Sequence, residues 1–273
     1  MKNIKWKENQ SLLKEKISDL AFSRILVHSD SIKSLSFIDF EEDTSLNIQK
    51  HINFLLSLSD EMLFPSFNYD FPKNKNFFYD NFECQVGVIP EFFRKHNKCL
   101  RTFDPMFSIS GTKLDKKFCE YKKKINSFKE NGFFQTFRGN GNGILFYGAD
   151  LSSAAIIHYV ESIMEIPYRY EKEFKGKALI DGTLRELIFK SHFRPFKMNL
   201  DYDWRKIYKD LSDEKILFRI NKFCHILDSQ KLINFWSEKL NNDLLYLLDN
   251  NSVEWVEPKL DLLGRPFIAS DFE

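Results

Sequence analysis

His158 and Glu161 stand three residues apart in Ala154-Ala155-Ile156-Ile157-His158-Tyr159-Val160-Glu161. They follow the glycine-bounded apolar run Gly143-Ile144-Leu145-Phe146-Tyr147-Gly148, which reads as a buried strand. The intervening residues read as a loop that opens a helix. On a helix, positions i and i+3 share a face, so the two side chains can meet or point into one pocket. A carboxylate that orients an imidazole makes a general base, because histidine has the one side chain that ordinarily titrates near neutral pH. The competing role is a core histidine whose ring nitrogen is satisfied by Glu161.

Other residues of chemical interest precede this pair. Ser29 and Ser31 sit where the apolar stretch Arg24-Ile25-Leu26-Val27-His28 gives way to polar residues. Hydroxyls at a helix N-terminus suit phosphates or amides, and equally suit plain N-capping. Asp104 precedes Pro105, which fits either an ammonium-binding carboxylate or an Asp-Pro turn. Lys122, Lys123 and Lys124 form a basic run that reads first as a solvated helix face and second as a steering patch for an acidic ligand. Gly139-Asn140-Gly141-Asn142-Gly143 lacks the Lys-Ser/Thr of a phosphate loop and precedes a strand, so it reads as a turn.

The elements that must position these groups alternate in type. Gln10 to Ala21 reads as a helix, Arg24 to His28 as a strand, Ile48 to Leu58 as a helix, and Glu61 to Pro65 as a strand. This is the rhythm of an α/β fold, here a central mixed sheet flanked by helices. Asn68 to Asn81 reads as a long polar and aromatic loop beside a cleft. A short helix is expected from Gly87 to Arg94 and a strand near Phe107 to Gly111. Phe118 to Lys129 reads as a basic helix. Tyr168 to Leu179 and Leu184 to Phe189 read as strands. Trp204 to Leu211, Glu214 to Phe223 and Ser229 to Asp249 read as helices, and Val253 to Glu273 as a terminal extension. No internal repeat or linker appears. The expectation is one domain over 1–273 with a helical C-terminal portion from 200 onward.

Composition narrows the function. The chain has 273 residues, 43% of them hydrophobic, and a formal net charge of +1. That is enough apolar material for a large core, and it is not the broad basic face that nucleic-acid binding needs. The 29 phenylalanines accompany abundant Lys, Asn and Ile, a bias that carries no function by itself. Cys84, Cys99, Cys119 and Cys224 are too widely spaced for a zinc ribbon or redox pair. No metal site, secretory signal or apolar run of about 20 residues is seen, so a cytoplasmic protein is expected.

Four segments, in order, resemble the aminoglycoside 3-N-acetyltransferase family. Ile25-Leu26-Val27-His28-Ser29-Asp30-Ser31 is similar to its strand ending Val-His-Ser-Ser. Met62-Leu63-Phe64-Pro65-Ser66-Phe67 is similar to its Leu-Val-Met-Pro-Thr-Phe. Gly87 to Arg94, then Arg101-Thr102-Phe103-Asp104-Pro105-Met106-Phe107-Ser108-Ile109, resembles a Gly-x-x-x-Glu-x-Phe-Arg block followed by Arg-Ser-x-His-Pro-x-His-Ser-Val. Ile144 to Glu161 resembles Ile-Leu-Leu-Leu-Gly-Val and then Thr-x-Leu-His-x-x-Glu. Residues 24–170 carry the likeness.

The resemblance implies direct acetyl transfer from acetyl coenzyme A to an amine. His158 and Glu161 would be catalytic, with Ser29, Ser31, Arg101, Ser108 and Ile109 at the coenzyme. Arg101 has a surface salt bridge as its alternative role. Asp104 and Phe107 replace the block's two histidines and are expected at the acceptor, and Ala155 replaces its threonine. The altered acceptor block directs the expectation to an amino sugar, nucleotide-linked or free, of the kind used in surface polysaccharides. An antibiotic-resistance enzyme and an inactive binding homologue are the alternatives. A serine hydrolase is disfavoured, since no Gly-x-Ser-x-Gly elbow exists. A homodimer is among the assemblies open to the chain.

Overall fold

The computed structural model describes residues 2–129, 131–195 and 200–272; Met1 and Glu273 lie outside them. The elements run α1 (Lys2–Asp19), β1 (Arg24–Ser29), α2 (Thr44–Leu56), β2 (Glu61–Pro65), the single turn α3 (Phe71–Asn74), β3 (Asn76–Phe78), α4 (Val88–His96), β4 (Leu100–Arg101), β5 (Ile109–Gly111), β6 (Lys124–Asn126), β7 (Asn142–Tyr147), α5 (Ile156–Ile163), β8 (Tyr170–Ile180), β9 (Thr183–Phe193), α6 (Trp204–Asp213), β10 (Leu217–Asn221), β11 (Cys224–Asp228), α7 (Ser229–Asn242) and α8 (Asn250–Leu263).

Seven strands form the main sheet in the order β10-β11-β7-β1-β2-β5-β4. Its centre is parallel: β1 pairs with β2 on one side and β7 on the other. The flanking pairs β7–β11, β10–β11, β2–β5 and β4–β5 are antiparallel. Parallel strands buried on both faces read as continuous apolar runs, which is why Ile25-Leu26-Val27 and Ile144-Leu145-Phe146 carry no polar alternation. Successive side chains still face opposite ways. Ile25, Val27, Leu145 and Tyr147 pack on the face with Ile52, Leu55 and Phe93 of α2 and α4. Leu26, Ile144 and Phe146 pack on the other face with residues of α5, α6 and α7.

A second sheet, β3-β8-β9-β6, is built around the long β8–β9 hairpin. Its core is aromatic, with Phe71, Phe77, Phe103, Phe174 and Phe189 buried together. Much of the phenylalanine content therefore fills cores.

Several sequence expectations are corrected. Phe118 to Lys129 is not a helix: a 3-10 turn over Lys116–Phe118 leads into β6, whose register with β9 supplies hydrogen bonds that the lysine-rich segment does not advertise. Glu214 to Phe223 is not a helix: Leu217–Asn221 within it forms an antiparallel hairpin with Cys224–Asp228 that joins the main sheet beside β7. The C-terminal portion is thus no extension. Leu227, Leu232, Trp236 and Val256 are buried in the same core as Ile144. The Asn68 to Asn81 segment also holds α3 and β3.

Candidate active site

The carboxyl ends of β1, β2 and β7 lie where the strand order reverses, β1 running to β2 on one side and lying against β7 on the other. In open α/β sheets this switch point leaves a crevice that binds ligands. A cavity of about 220 Å³ opens here. Its walls include His28 and Ser29 at the end of β1, Pro65 at the end of β2, Ser152 and Ser153 after β7, and His158. Gly148 makes the tight exit from β7 possible. Its φ is +80°, and a Cβ would lie 2.4 Å from the Asp30 carbonyl oxygen, so only glycine fits without displacing backbone.

Helix α5 carries the expected pair. Ile156, Ile157, Tyr159 and Val160 are buried, which fixes the helix and turns His158 toward the cavity. Its imidazole is 29% exposed, whereas Glu161 is fully buried. The His158 Nδ1 and Glu161 Oε2 are 3.1 Å apart. Around the carboxylate stand three further groups. Tyr168 donates to Oε1 at 3.0 Å, Tyr202 donates to Oε1 at 2.7 Å, and the Arg169 Nε lies 2.7 Å from Oε2 as an ion pair. Arg169 also donates to the Tyr202 hydroxyl at 2.6 Å.

These contacts set the protonation states. Burial would raise the Glu161 carboxyl, but Arg169 and the hydrogen bonds hold it at about 2. It is therefore a carboxylate, able only to accept. Nδ1 of His158 must then carry the proton, and Nε2 is left with its lone pair for the cavity. Burial and the Arg169 charge push His158 below its usual 6.5, with Glu161 opposing them. The imidazole is neutral at pH 7, the state a base requires.

Two polar atoms in the cavity wall have no partner among the described residues: the Ser29 Oγ and the His28 Nε2, both buried. Burial lowers His28 to about 4, so it is neutral. Buried polar atoms are normally paired, and an unpaired one in a cavity wall suits a ligand's polar groups.

The other expected site residues distribute differently. Ser31 is outside the cavity wall, in a turn where the Ile32 and Lys33 amides donate to Asp30 Oδ1. A turn and a short 3-10 segment, rather than an α-helix, follow β1 directly, so the expected helix N-terminus is absent there. Arg101 is buried, its guanidinium over the rings of Phe77, Tyr79 and Phe82, and it donates to the Tyr79 and Phe82 carbonyls. Among the described residues it forms no surface salt bridge, and it does not line the cavity. The Ser108 hydroxyl donates to the Ser66 carbonyl at 2.7 Å, and Ile109 pairs with Pro65 in the sheet. Both hold the β2–β5 edge together rather than lining the cavity.

Asp104 accepts from the Met106 and Phe107 amides and from the Ser127 hydroxyl. That is the Asp-Pro turn, and it leaves little of the carboxylate for an ammonium. Phe107 does line the cavity. Tyr168, Arg169 and Tyr202 were not singled out from sequence. Tyr202 lies 41 residues from Glu161, and no local spacing ties it to the pair.

The fold and the buried His–Glu unit describe an α/β protein with a neutral imidazole at its switch-point cavity. The family model for aminoglycoside 3-N-acetyltransferase matches residues 66–241. The chain belongs to that family and is an N-acyltransferase. Comparison with curated protein sequences gave no significant match.

Among solved structures, YokD from Bacillus subtilis superposes with a TM-score of 0.63 at 15% identity, covering 86% of this chain and 99% of its own. AAC-IIIb bound to coenzyme A gives 0.66 at 14% identity, covering 85% and 96%. A histidine-to-alanine mutant of AAC(3)-IVa in complex with a gentamicin gives 0.62 at 14% identity, covering 90% and 93%. At such identities the likeness establishes the fold.

Proposed function

We propose that the protein transfers an acetyl group from acetyl coenzyme A to the amine of a mono-amino sugar, with His158 as the base. The observation that carries this reading is the neutral His158, its Nδ1 held by Glu161 and its other face on the switch-point cavity. The coenzyme A in AAC-IIIb supports the donor. As the amine nitrogen attacks the thioester carbonyl, a C–N bond forms, and collapse of the tetrahedral adduct breaks the C–S bond. His158 Nε2 takes the proton that the amine loses and returns it to the leaving thiolate, which gives the free thiol and restores the neutral imidazole. Glu161 stabilises the imidazolium so formed. Ser29 and His28, with unpaired polar atoms in the cavity wall, fit the donor's carbonyl and amide groups.

The acceptor side favours one amine over many. Among the described residues lining the His158 cavity there is no Asp or Glu. Asp104 is engaged by two amides and a hydroxyl. A polycationic aminoglycoside needs several carboxylates, and these walls do not offer them. An amino hexose, free or nucleotide-linked and destined for surface polysaccharide, asks for less.

The test is thiol release from acetyl coenzyme A across a panel of amino hexoses, their nucleotide conjugates and aminoglycosides. Turnover of the first two classes is expected. Efficient acetylation of aminoglycosides alone would overturn the acceptor and restore antibiotic resistance as the role.

A further inference from the structure

A second cavity, of about 290 Å³, adjoins the first, with Phe107 lining both. The Phe107 ring packs on Phe128 at 4.7 Å between centroids, and Phe128 packs on His158 at 5.6 Å. An acceptor whose amine reaches His158 therefore has this cavity within a short distance for the rest of its body. Asp104 and Phe107, the two positions expected at the acceptor, both line it.

The wall chemistry is specific. Phe103, Phe118 and Phe133 give it apolar sides, while Lys122, Lys124 and Lys190 stand at it. In the parallel pairing of β6 with β9, Lys124 lies opposite Ile188 and Asn126 opposite Lys190. The two-residue period of a strand then puts Lys124, Asn126 and Lys190 on one face. Lys190 is neutralised by Glu171 and Glu173. Lys123 turns away to pair with Glu186. Lys122 and Lys124 have no carboxylate partner among the described residues, and Asp104 is the one acidic side chain among the described residues of the wall. Its oxygens accept from two backbone amides and from Ser127, and it forms no ion pair with either lysine among the described residues. Two exposed ammonium groups without an ion-pair partner, beside apolar walls, suit phosphates attached to a flat ring better than a polycation.

We propose that this cavity is an acceptor subsite for an anionic, nucleotide-type carrier, so that the substrate is an amino sugar linked to a nucleoside diphosphate. The inference rests on the acyl-transfer reading for its acceptor, but its binding test does not.

The experiment measures binding of a uridine diphosphate-linked amino hexose and, separately, of coenzyme A by calorimetry. Wild type is compared with the exposed double variant Lys122→Glu/Lys124→Glu. Binding of the nucleotide sugar is expected to weaken by about tenfold or more, the scale of two reversed exposed pairs, while coenzyme A binding stays unchanged. The same loss is expected in a His158→Gln background, where turnover is strongly reduced, which separates this proposal from the catalytic one. A melting temperature equal to wild type excludes misfolding, and the single variants Lys122→Gln and Lys124→Gln serve if the double variant unfolds. Unchanged nucleotide-sugar binding would overturn the proposal. So would weakened coenzyme A binding with unaltered acceptor binding, which would assign the lysines to the donor.

Discussion

Replacing Glu161 with glutamine keeps the shape of the side chain and removes only its charge. The consequences follow from its four neighbours. The amide would place its oxygen toward His158 Nδ1 and Arg169 Nε, since the reverse sets N–H against N–H, and the hydroxyls of Tyr168 and Tyr202 can rotate to accept. The His158 tautomer is thus kept, while Arg169 is left as a buried cation with no carboxylate. Holding a carboxyl that ordinarily titrates at 4.5 down to about 2 corresponds to about 3 kcal/mol of stability. Breaking a buried ion pair on one side costs a similar ~3–5 kcal/mol. For a chain of this size the melting temperature should fall by about 5–15 °C at pH 7.

The pH dependence has a definite sign. Glu161 has a depressed folded pKa, so its contribution is full above 4.5 and is lost as the pH falls through about 2. The gap between wild type and Glu161→Gln should therefore close in that window. Turnover should drop by roughly 10 to 10²-fold, since the imidazolium formed in the reaction loses its counter-charge beside Arg169. Calorimetric melts from pH 2 to 8, with thiol release at pH 7, check both. Equal melting temperatures at neutral pH would refute the reasoning, because Glu161 would then not be a buried carboxylate paired with Arg169.

Two other outcomes are expected. His158 lies below 6.5 in the folded protein, so the midpoint of its imidazole NMR titration should fall below pH 6.5 and be missing from a His158 variant; a midpoint above 7 would contradict the assignment. Arg101→Ala should destabilise the protein by about 2 kcal/mol or more through lost packing and two carbonyls left without their donor. Its dissociation constant for coenzyme A should remain that of wild type, and selective loss of coenzyme affinity would return Arg101 to the donor site.

The sequence displayed the centre of this fold because its strands are buried on both faces. Arg24 to His28, Glu61 to Pro65 and Gly143 to Tyr147 stand out as apolar runs bounded by turn residues. The His158–Glu161 pair was visible because helical geometry alone brings i and i+3 together. What was hidden depends on distant partners. Lys124 to Asn126 is a strand because β9 is beside it, and Leu217 to Asn221 because β11 returns along it. Arg101 looked like a phosphate ligand because a guanidinium over three aromatic rings leaves no local mark. The same holds for Tyr202 and Arg169, which complete the environment of Glu161 through folding alone.

In the proposed reaction, His158 Nε2 removes the amine proton. The most direct measurement is steady-state thiol release by His158→Gln beside wild type, with coenzyme A binding and melting temperature recorded on the same samples. Turnover lower by roughly 10²- to 10⁴-fold, with donor affinity unchanged and stability within about 1 kcal/mol, is the predicted result. Turnover near the wild-type value, or a loss of activity matched by a loss of fold, would contradict it.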